Sequence, residues 1–397
     1  MTREQVLEEV KAIPNRNVLL TLPTGFGKSR SAIERVKHLA RTRGKCNLLI
    51  VVPRNVLKVS WHDEIAKWWP SYITHLNVLY TTYVSFPKYQ GDWDFVIFDE
   101  AHHLSERCRE ALCSFNIDYT ILLSATVKKD LREELKEVFE DICYYNATLR
   151  DAIEHKILPD PKVYLLPLTL DNQFPNERII RNPKAKGRII NSSWAERWSY
   201  MRVKNNPVHI FCTQAQYIEY QNEQISWYKR QAFARGNEAL KNKWLKLCGE
   251  RLKYLSDCKT QTILKILSYC RGHRTLTFCS SIEQTERLGK YCINSKNGMS
   301  LLHLQRFNNG ELNHITACNM LNEGMNLVDC QIGIYANLNS SETIIKQRTG
   351  RLLRHKSPII IIPYYKGTRE EELVQKMLED YNPELVKTVN FIEEIQL

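Results

Sequence analysis

Short apolar runs alternate with amphipathic stretches over the first 150 residues of the chain. Five runs rich in β-branched and aromatic residues predict buried strands, at Val18–Thr21, Leu48–Val52, Val78–Tyr80, Phe95–Phe98 and Thr120–Leu123. The stretches between them predict helices, at Ser31–Arg41, Asn55–Trp68, Glu106–Ser114 and Asp130–Phe139. Such alternation predicts an α/β fold in which a parallel sheet is covered by helices on both faces.

The pattern changes after residue 158. Five prolines between Pro159 and Pro183 predict a connecting arm over residues 159–192, with one strand at Val163–Leu170. Residues 193–270 have the spacing of helices, and residues 271–397 return to strand and helix alternation. This last block predicts four strands and two helices, at Thr275–Cys279, His314–Ala317, Ile332–Ala336, Ile359–Pro363, Glu283–Tyr291 and Glu342–Leu353. We therefore expect two α/β domains, over residues 1–158 and 271–397, joined by the arm and a helical insert.

Composition is ordinary for a globular protein. The 397 residues are 43% hydrophobic and 25% charged, and their number exceeds what one hydrophobic core accommodates. The longest apolar runs are far too short for a membrane span, and the polar N-terminus MTREQVLEEV has no apolar signal core. None of the 12 cysteines forms a CxxC pair, so neither structural zinc nor a disulfide framework is expected. These features favour a cytoplasmic protein without a membrane partner.

Positive charge is concentrated in the predicted insert. Lys and Arg exceed Asp and Glu by 12 over the chain, and Ala195–Thr260 holds 12 basic against six acidic residues. Such an excess attracts polyanions, of which nucleic acid is the commonest. Aromatic and basic side chains alternate here: Trp194, Trp198, Trp227, Tyr228 and Trp244 among Lys229, Arg230, Arg235, Lys241, Lys243 and Lys246. They could stack bases or wedge a duplex, or the tryptophans could be core residues beneath a solvated basic face.

The segment Leu22–Ser29, LPTGFGKS, lies between a predicted strand and a predicted helix. Gly25 and Gly27 permit a tight loop whose N–H groups point at phosphate oxygens, and the helix that follows aims its positive end there. Lys28 offers a charge to the β- and γ-phosphates, and Ser29 can ligate Mg²⁺. The predicted ATP-binding loop thus comprises Pro23, Thr24, Gly25, Phe26, Gly27, Lys28 and Ser29. Leu22 stands where this motif usually has Gly.

The acidic segment DEAH, Asp99–His102, follows the predicted strand Phe95–Phe98. Carboxylates at the carboxyl end of a parallel strand face the crevice in which such sheets bind ligands. Asp99 would hold Mg²⁺, and Glu100 would act as general base on the attacking water.

With five further segments in order, the chain resembles the DEAD/DEAH-box helicases and translocases of superfamily 2. Within this superfamily, the chain resembles the branch that holds the type I and type III restriction motor subunits and the phage UvsW-like helicases. LPTGFGKS and DEAH are similar to motifs I and II. The remaining matches are VVPRNVLKVSW (Val51–Trp61) to motif Ia, SAT (Ser124–Thr126) to III, TFCSSIEQTERL (Thr277–Leu288) to IV, NMLNEGMNL (Asn319–Leu327) to V and QRTGRLLR (Gln347–Arg354) to VI. The resemblance implies two RecA-like P-loop domains in tandem, with ATP and Mg²⁺ bound between them.

The resemblance also implies roles for residues of the second domain and of the linking motifs. Arg351 and Arg354 would lie on one face of a helix and neutralise charge at the γ-phosphate. Further ATP contacts fall on Gln5, Gly324, Asn326, Gln347 and Arg348, and coupling falls on His102, Ser124, Ala125 and Thr126. Gln5 would read adenine, or is a surface helix residue. Nucleic-acid contacts fall on Arg54, Thr82, Tyr83, Ser280 and Cys318.

Two positions depart from the family pattern. Cys318 stands where Thr is usual, and a thiol is a weaker hydrogen-bond donor than a hydroxyl. Asn326 stands where Asp is usual, so a negative charge is lost although an acceptor remains. These changes bear on coupling and not on ATP binding.

The combined expectation is a monomeric, nucleic-acid-dependent ATPase that moves along DNA and unwinds it. Three alternatives stay open: a duplex translocase or restriction-type motor without unwinding, an RNA helicase, and a nucleic-acid binding clamp locked by ATP. The compact size would suit a phage or mobile-element protein acting in the host cytoplasm.

Overall fold

The fold is taken from a computed structural model that describes residues 2–125, 129–139, 141–197, 205–318, 327–338 and 342–397. At 129, 130, 342–344, 346 and 347 the description extends to the backbone alone. Two parallel sheets, each packed with helices, make up most of the chain.

The first sheet has six parallel strands in the order β3-β2-β4-β5-β1-β6. In chain order they are β1 (Asn17–Thr21), β2 (Cys46–Val52), β3 (Leu76–Thr82), β4 (Gly91–Asp99), β5 (Phe115–Ser124) and β6 (Ile142–Asn146). The helices of this unit are α1 (Arg3–Ala12), α2 (Lys28–Ala40), α3 (Val56–Trp68), α4 (Tyr72–His75), α5 (Glu106–Leu112), α6 (Lys129–Val138) and α7 (Leu149–Glu154).

Alternating side chains of the strands enter two separate cores, one on each face of this sheet. Leu20 and Ile50 pack with residues of α2 and α3, whereas their neighbours Leu19 and Leu49 pack with residues of α5 and α6. The expected sheet with helices on both faces is therefore confirmed.

The predicted connecting arm contributes a strand to the second sheet. This strand, β7 (Lys162–Leu168), lies between two strands from the C-terminal part of the chain. Val163, Tyr164, Leu165 and Leu166 are all buried, which a strand covered on both faces requires. The sequence pattern placed this run in an arm outside the second domain, because its partners in β15 lie nearly 200 residues away (Val163 pairs with Ile360).

The arm and the insert together contain more strand structure than their pattern predicted. Three short strands, β8 (Glu177–Arg181), β9 (Ile190–Ser193) and β10 (Val208–Cys212), form a small sheet in the order β8-β10-β9. Three helices follow, α8 (Gln214–Arg235), α9 (Glu238–Cys258) and α10 (Thr260–Tyr269). Gly236 ends α8 in a left-handed conformation and Asn237 caps α9, so the two long helices form a hairpin. The insert is mainly helical, as expected.

The second sheet has seven parallel strands in the order β12-β13-β11-β14-β15-β7-β16. Its remaining strands are β11 (Thr275–Phe278), β12 (Cys292–Ile293), β13 (His314–Ala317), β14 (Ile332–Tyr335), β15 (Ile359–Tyr365) and β16 (Val386–Thr388). The helices around it are α11 (Ile282–Leu288), α12 (Ser300–Asn308), α13 (Glu342–Leu352) and α14 (Arg369–Leu378). The chain is thus two parallel α/β units in tandem with a basic insert.

Within the described ranges, no helix combines the length and the apolar character that crossing a membrane requires.

Candidate nucleotide site

The glycine-rich loop connects β1 to α2. Gly25 and Gly27 have φ angles of 89° and 111°, a region that residues with a Cβ rarely adopt, and α2 begins at Lys28. The N–H of Leu22 donates to the carbonyl of Ser124 at 3.0 Å, which fixes the loop beside the end of β5. The N-terminus of α2 therefore faces the carboxyl edge of the sheet, as a phosphate site requires.

The acidic pair lies at the same edge, where β4 ends. Lys28 Nζ lies 3.0 Å from Glu100 Oε1, and both side chains are largely buried. Glu100 has a φ of 53°, an uncommon conformation for a residue with a side chain. Trp61 of α3 donates its indole N–H to Asp99 Oδ2 at 2.9 Å. The predicted phosphate-binding lysine and both acidic residues are thus together.

Burial beside a second carboxylate changes the acidity of Asp99. Removal from bulk water, and after it the neighbouring charge of Glu100, raise the pKa of Asp99 to about 6, while Lys28 and the hydrogen bond from Trp61 act in the opposite direction. A carboxyl group whose ionised form is disfavoured in this way is typical of a functional site.

His102 lies between the acidic pair and the end of β5. Its Nδ1 lies 3.4 Å from Ser124 Oγ and 3.5 Å from Glu100 Oε2. Ala125 is buried beside them, and Thr126 lies outside the described residues. The DEAH segment and the SAT segment are therefore linked through one imidazole ring.

Arginines of the second unit line the same cavity as Lys28, Asp99 and Glu100. The cavity has a volume of about 400 Å³ and includes Arg351 and Arg354 in its wall. Arg351 is only 5% exposed, whereas Arg354 is exposed and donates to the carbonyl of Leu327 at 3.2 Å. The expectation that both share a helix is wrong, because α13 ends at Leu352 and Arg354 lies two residues beyond it.

Close backbone packing joins the two units at this cavity. A Cβ added to Gly350 of α13 would lie 2.4 Å from the carbonyl oxygen of Thr24. Only glycine allows this approach, so the phosphate-binding loop lies directly against the helix that carries Arg351.

Several predicted ATP contacts lie elsewhere. Gln5 is exposed and caps its own helix, accepting from the N–H of Thr2 at 2.6 Å. Arg348 is 1% exposed, donates to the carbonyl of Asn337 and stacks on Phe278, so it supports the second unit from inside. Pro23 is buried outside the cavity wall. Gly324 and Asn326 lie outside the described residues, as does the side chain of Gln347.

The structure also brings in residues to which the sequence motifs gave no role. Arg3, Arg30, Trp61, Glu64 and Trp68 all line the cavity. The signal for Trp61 was available, because it closes the segment that resembles motif Ia. The others are separated in sequence from every motif except Arg30, which follows Ser29 directly.

The predicted nucleic-acid contacts divide into residues at the ends of strands and residues that are buried. Arg54 follows β2 and is exposed, Thr82 ends β3, and Ser280 follows β11, where its hydroxyl contacts Gln284 at 3.1 Å. Tyr83 and Cys318 are buried, at 7% and 6% exposure. The Tyr83 hydroxyl donates to the backbone carbonyl of Asp99 at 2.8 Å, so it supports the acidic segment instead of facing a bound strand.

The aromatic side chains of the insert differ in their exposure and in their contacts with cations. Trp227 is 47% exposed, so it is not a core residue. Trp194 is covered by the guanidinium of Arg197 at 3.8 Å, and Trp244 has Lys229 5.8 Å from its ring. Trp198 lies outside the described residues.

The donors present suit magnesium. The Ser29 hydroxyl and the Asp99 carboxylate are hard oxygen ligands in the wall of one cavity, and Mg²⁺ takes such ligands together with phosphate oxygens and water. Throughout the described part of the chain, no three His, Cys, Asp or Glu side chains form a metal-binding group. A protein contribution of one or two oxygens is what a nucleotide-bound magnesium requires.

Comparison with known proteins agrees with this site. Residues 2–85 match the family described as type III restriction enzyme, res subunit, and residues 258–356 match the helicase conserved C-terminal domain. The chain is 22% identical over 401 residues to the DNA 3'-5' translocase XPB2 of Sulfurisphaera tokodaii, an alignment that covers 95% of this chain and 84% of that protein.

Solved structures share the fold at low sequence identity. The Hef helicase domain of Pyrococcus furiosus aligns with a TM-score of 0.50 at 14% identity, covering 94% of this chain and 97% of that one. A putative HsdR subunit of a type I restriction enzyme from Vibrio vulnificus YJ016 aligns with a TM-score of 0.56 at 17% identity, covering 98% and 67%.

Two helicase-type families therefore match in the order that the motifs predict, on two parallel α/β units that meet at one phosphate-binding loop. The chain is similar to the superfamily 2 helicases and translocases and to the restriction motor subunits, and these matches indicate an ATP-hydrolysing enzyme of that type.

Proposed function

We propose that this chain is a DNA-stimulated ATPase that moves along DNA and separates its strands. The observation that carries the proposal is the single cavity lined by Lys28, Asp99 and Glu100 from one unit and by Arg351 and Arg354 from the other. A site shared between two units can turn nucleotide hydrolysis into relative movement of those units.

Each polar group of the cavity has a role in phosphoryl transfer. Glu100 accepts a proton from the water that attacks the γ-phosphorus, while the bond from that phosphorus to the β–γ bridging oxygen breaks and ADP leaves. The β- and γ-phosphates compete with Glu100 for Lys28, which frees the carboxylate to act as base. Arg351 and Arg354 stabilise charge on the transferring group. Magnesium held by Ser29 and Asp99 would supply further positive charge there.

Coupling follows from the contacts of His102. A change in charge or hydrogen bonding at Glu100 alters the position of the imidazole, and Ser124 at the end of β5 responds. Tyr83 gives the acidic segment a second link, toward β3. These side chains transmit the state of the nucleotide to the strand ends that carry Arg54 and Thr82.

The proposed nucleic-acid track uses Arg54, Thr82 and Ser280, at strand ends of the two sheets, and the helical hairpin α8–α9. Tyr83 and Cys318 are left out because they are buried. On the hairpin, Trp227 and Phe233 are 47% and 72% exposed among Lys229, Arg230 and Arg235. Exposed aromatic rings beside cations are the groups that stack bases and bind phosphates. The proposal favours DNA over RNA as the substrate because the relative from Sulfurisphaera tokodaii is a DNA translocase.

The test is steady-state ATP hydrolysis by the full chain with no nucleic acid, single-stranded DNA, duplex DNA, forked DNA and RNA. We expect strong stimulation by DNA. The variant Glu100→Gln should bind ATP normally and turn over about 10²- to 10⁴-fold more slowly, because it keeps the shape of the side chain but cannot accept a proton.

Each alternative predicts a different result in the same assay. Flat, near-zero turnover on all substrates despite ATP binding would contradict the motor and favour the clamp. Stimulation by RNA alone would change the substrate, and stimulation by duplex DNA without strand separation in a fork-unwinding assay would indicate a duplex translocase.

A further inference from the structure

The nucleotide cavity extends well beyond its phosphate end. One face of α3 lines it from the first turn to the last, through Leu57, Ser60, Trp61, Glu64, Lys67 and Trp68. At 1.5 Å per residue this face is about 16 Å long. Trp61 marks the phosphate end, because its indole binds Asp99. Trp68 lies two turns further along the same face, about 10 Å away, which is the separation between a γ-phosphate and a purine base.

Trp68 is held in a fixed orientation at the far end of this face. Its indole N–H donates to Glu64 Oε2 at 2.8 Å. The guanidinium carbon of Arg30 lies 4.4 Å from the ring centroid, and Arg30 is itself paired with Glu4 of α1 at 3.5 Å. The ring is half-buried, and both Trp68 and Arg30 remain in the cavity wall. The result is a preformed pair of two flat groups, one aromatic and one cationic, and Lys67 Nζ also lies 4.8 Å from the centroid of the Trp68 ring.

The residue that the family resemblance assigns to the base is used otherwise. The amide oxygen of Gln5 accepts from the N–H of Thr2, and the Thr2 hydroxyl accepts from the N–H of Gln5 in return. This reciprocal capping stabilises the start of α1. Gln5 is exposed and absent from the cavity wall, whereas Arg3, Val6 and Leu7 of the same helix line it.

We propose that the purine base of the nucleotide packs against the Arg30–Trp68 pair, which recognises it by its ring area and not by an adenine-specific amide. The inference rests on the proposed ATPase function and deepens it. Bases stack on indole rings and on guanidinium planes, and such stacking tolerates every base because each has a π-face. Purines cover more of the pair than pyrimidines do. The site therefore accepts ATP and GTP and discriminates against CTP and UTP.

The test compares binding of ADP, GDP, CDP and inorganic tripolyphosphate to the full chain by calorimetry in the presence of Mg²⁺. Wild type should bind ADP and GDP within a few-fold of each other and CDP about tenfold more weakly. The variant Trp68→Ala should weaken ADP binding about tenfold and leave tripolyphosphate binding unchanged. Trp68→Phe should restore most of the affinity, and Gln5→Ala should leave it unchanged.

Controls separate the base site from general damage. Trp93 is a half-buried tryptophan of the same unit outside the cavity wall, so Trp93→Ala reports what losing such a ring costs elsewhere. In steady-state assays Trp68→Ala should raise KM for ATP with little change in kcat.

Three results with the variants would overturn the inference. They are unchanged ADP binding in Trp68→Ala, equal loss of ADP and tripolyphosphate binding in that variant, and a loss of ADP binding specific to Gln5→Ala. Wild type that binds ADP no more tightly than tripolyphosphate would remove the base site and leave the ATPase proposal intact. A chain that binds none of these ligands would contradict both.

Discussion

Asp99 and Glu100 are adjacent carboxylates whose closeness costs stability in the free protein. The pKa of Asp99 is raised from 3.8 to about 6, first by removal from water and then by the charge of Glu100. A raised carboxyl pKa means that the folded state binds the proton more tightly than the unfolded state does. The stability of the free protein on this account is greatest below pH 4 and falls as the pH rises through about 6.

Replacing Asp99 by Asn should therefore stabilise the free protein at neutral pH while abolishing turnover. The amide has no charge to desolvate and none to repel Glu100, and it is a poorer ligand for Mg²⁺. We expect a higher Tm for Asp99→Asn than for wild type at pH 7.5 in thermal melts without nucleotide. The difference should shrink as the pH is lowered from 6 to 4, where wild-type Asp99 becomes protonated.

Saturating Mg²⁺ and ATP should reverse the order of the two melting temperatures, because the ligand stabilises only the protein that binds it well. A variant that is less stable than wild type at pH 7.5 without ligand would show that the carboxylate contributes structure there and carries no electrostatic penalty.

At the scale of elements, apolar runs predicted β1 to β5 of the first sheet and β7, β11, β13, β14 and β15 of the second, and missed the strands β6, β12 and β16. The strands β1 to β5 and the glycine-rich loop were predictable because strand, loop and helix are local features of the pattern. The membership of β7 in the second sheet was not predictable, because pairing with β15 is a property of tertiary structure. Spacing from Lys28 could not decide whether Gln5 reads adenine or is a surface helix residue, because spacing does not reveal a capping bond.

A count of basic residues does not reveal which of them are buried, as Lys259 illustrates. It is one of the basic residues of the insert, yet its side chain is 0% exposed and pairs with Glu370 of α14, also 0% exposed. Lys259 Nζ further donates to the carbonyl of Pro363 at 3.1 Å, and Glu370 Oε2 accepts from the N–H of Tyr365 at 3.1 Å. The pair anchors the base of the helical hairpin, at the start of α10, to the second sheet.

Removing one partner of this pair should be costly. Glu370→Gln leaves the Lys259 ammonium buried without a counter-ion, and we expect a loss of about 3 kcal/mol or more in the free energy of unfolding. The double variant Lys259→Met, Glu370→Leu should recover most of that loss, because it removes both buried charges. Urea denaturation of the full chain measures both. A single variant as stable as wild type would mean that water reaches this pair and screens it.

For the whole molecule, the important contact is the one between the two α/β units. A Cβ added to Gly25 would likewise lie 3.1 Å from the carbonyl oxygen of Gly350. The phosphate-binding loop and α13 therefore meet through main-chain atoms, which cannot move aside as a flexible side chain can. The positions of Arg351 and Arg354 relative to Lys28 depend on this approach, and so does catalysis across the cavity.

Gly350→Ala is the substitution that tests this dependence. Its new methyl group would lie 2.4 Å from the Thr24 carbonyl oxygen and 2.7 Å from the Thr24 Cβ, so the units must separate. We expect ADP binding within a few-fold of wild type, because the loop and the acidic pair belong to the first unit. DNA-stimulated turnover should fall at least about tenfold, since even a 1 Å misplacement of catalytic groups can cost about 10²-fold.

Gly249→Ala is the matched control, because an added Cβ at this position in α9 meets nothing within 4 Å. Helical alanine in place of glycine should leave turnover unchanged and stability equal or slightly higher. If Gly350→Ala hydrolysed ATP as fast as wild type, hydrolysis would not require this close packing of the units. The arginines would then have to act from a more open arrangement. Loss of ADP binding in the same variant would instead show that α13 shapes the phosphate-binding loop itself.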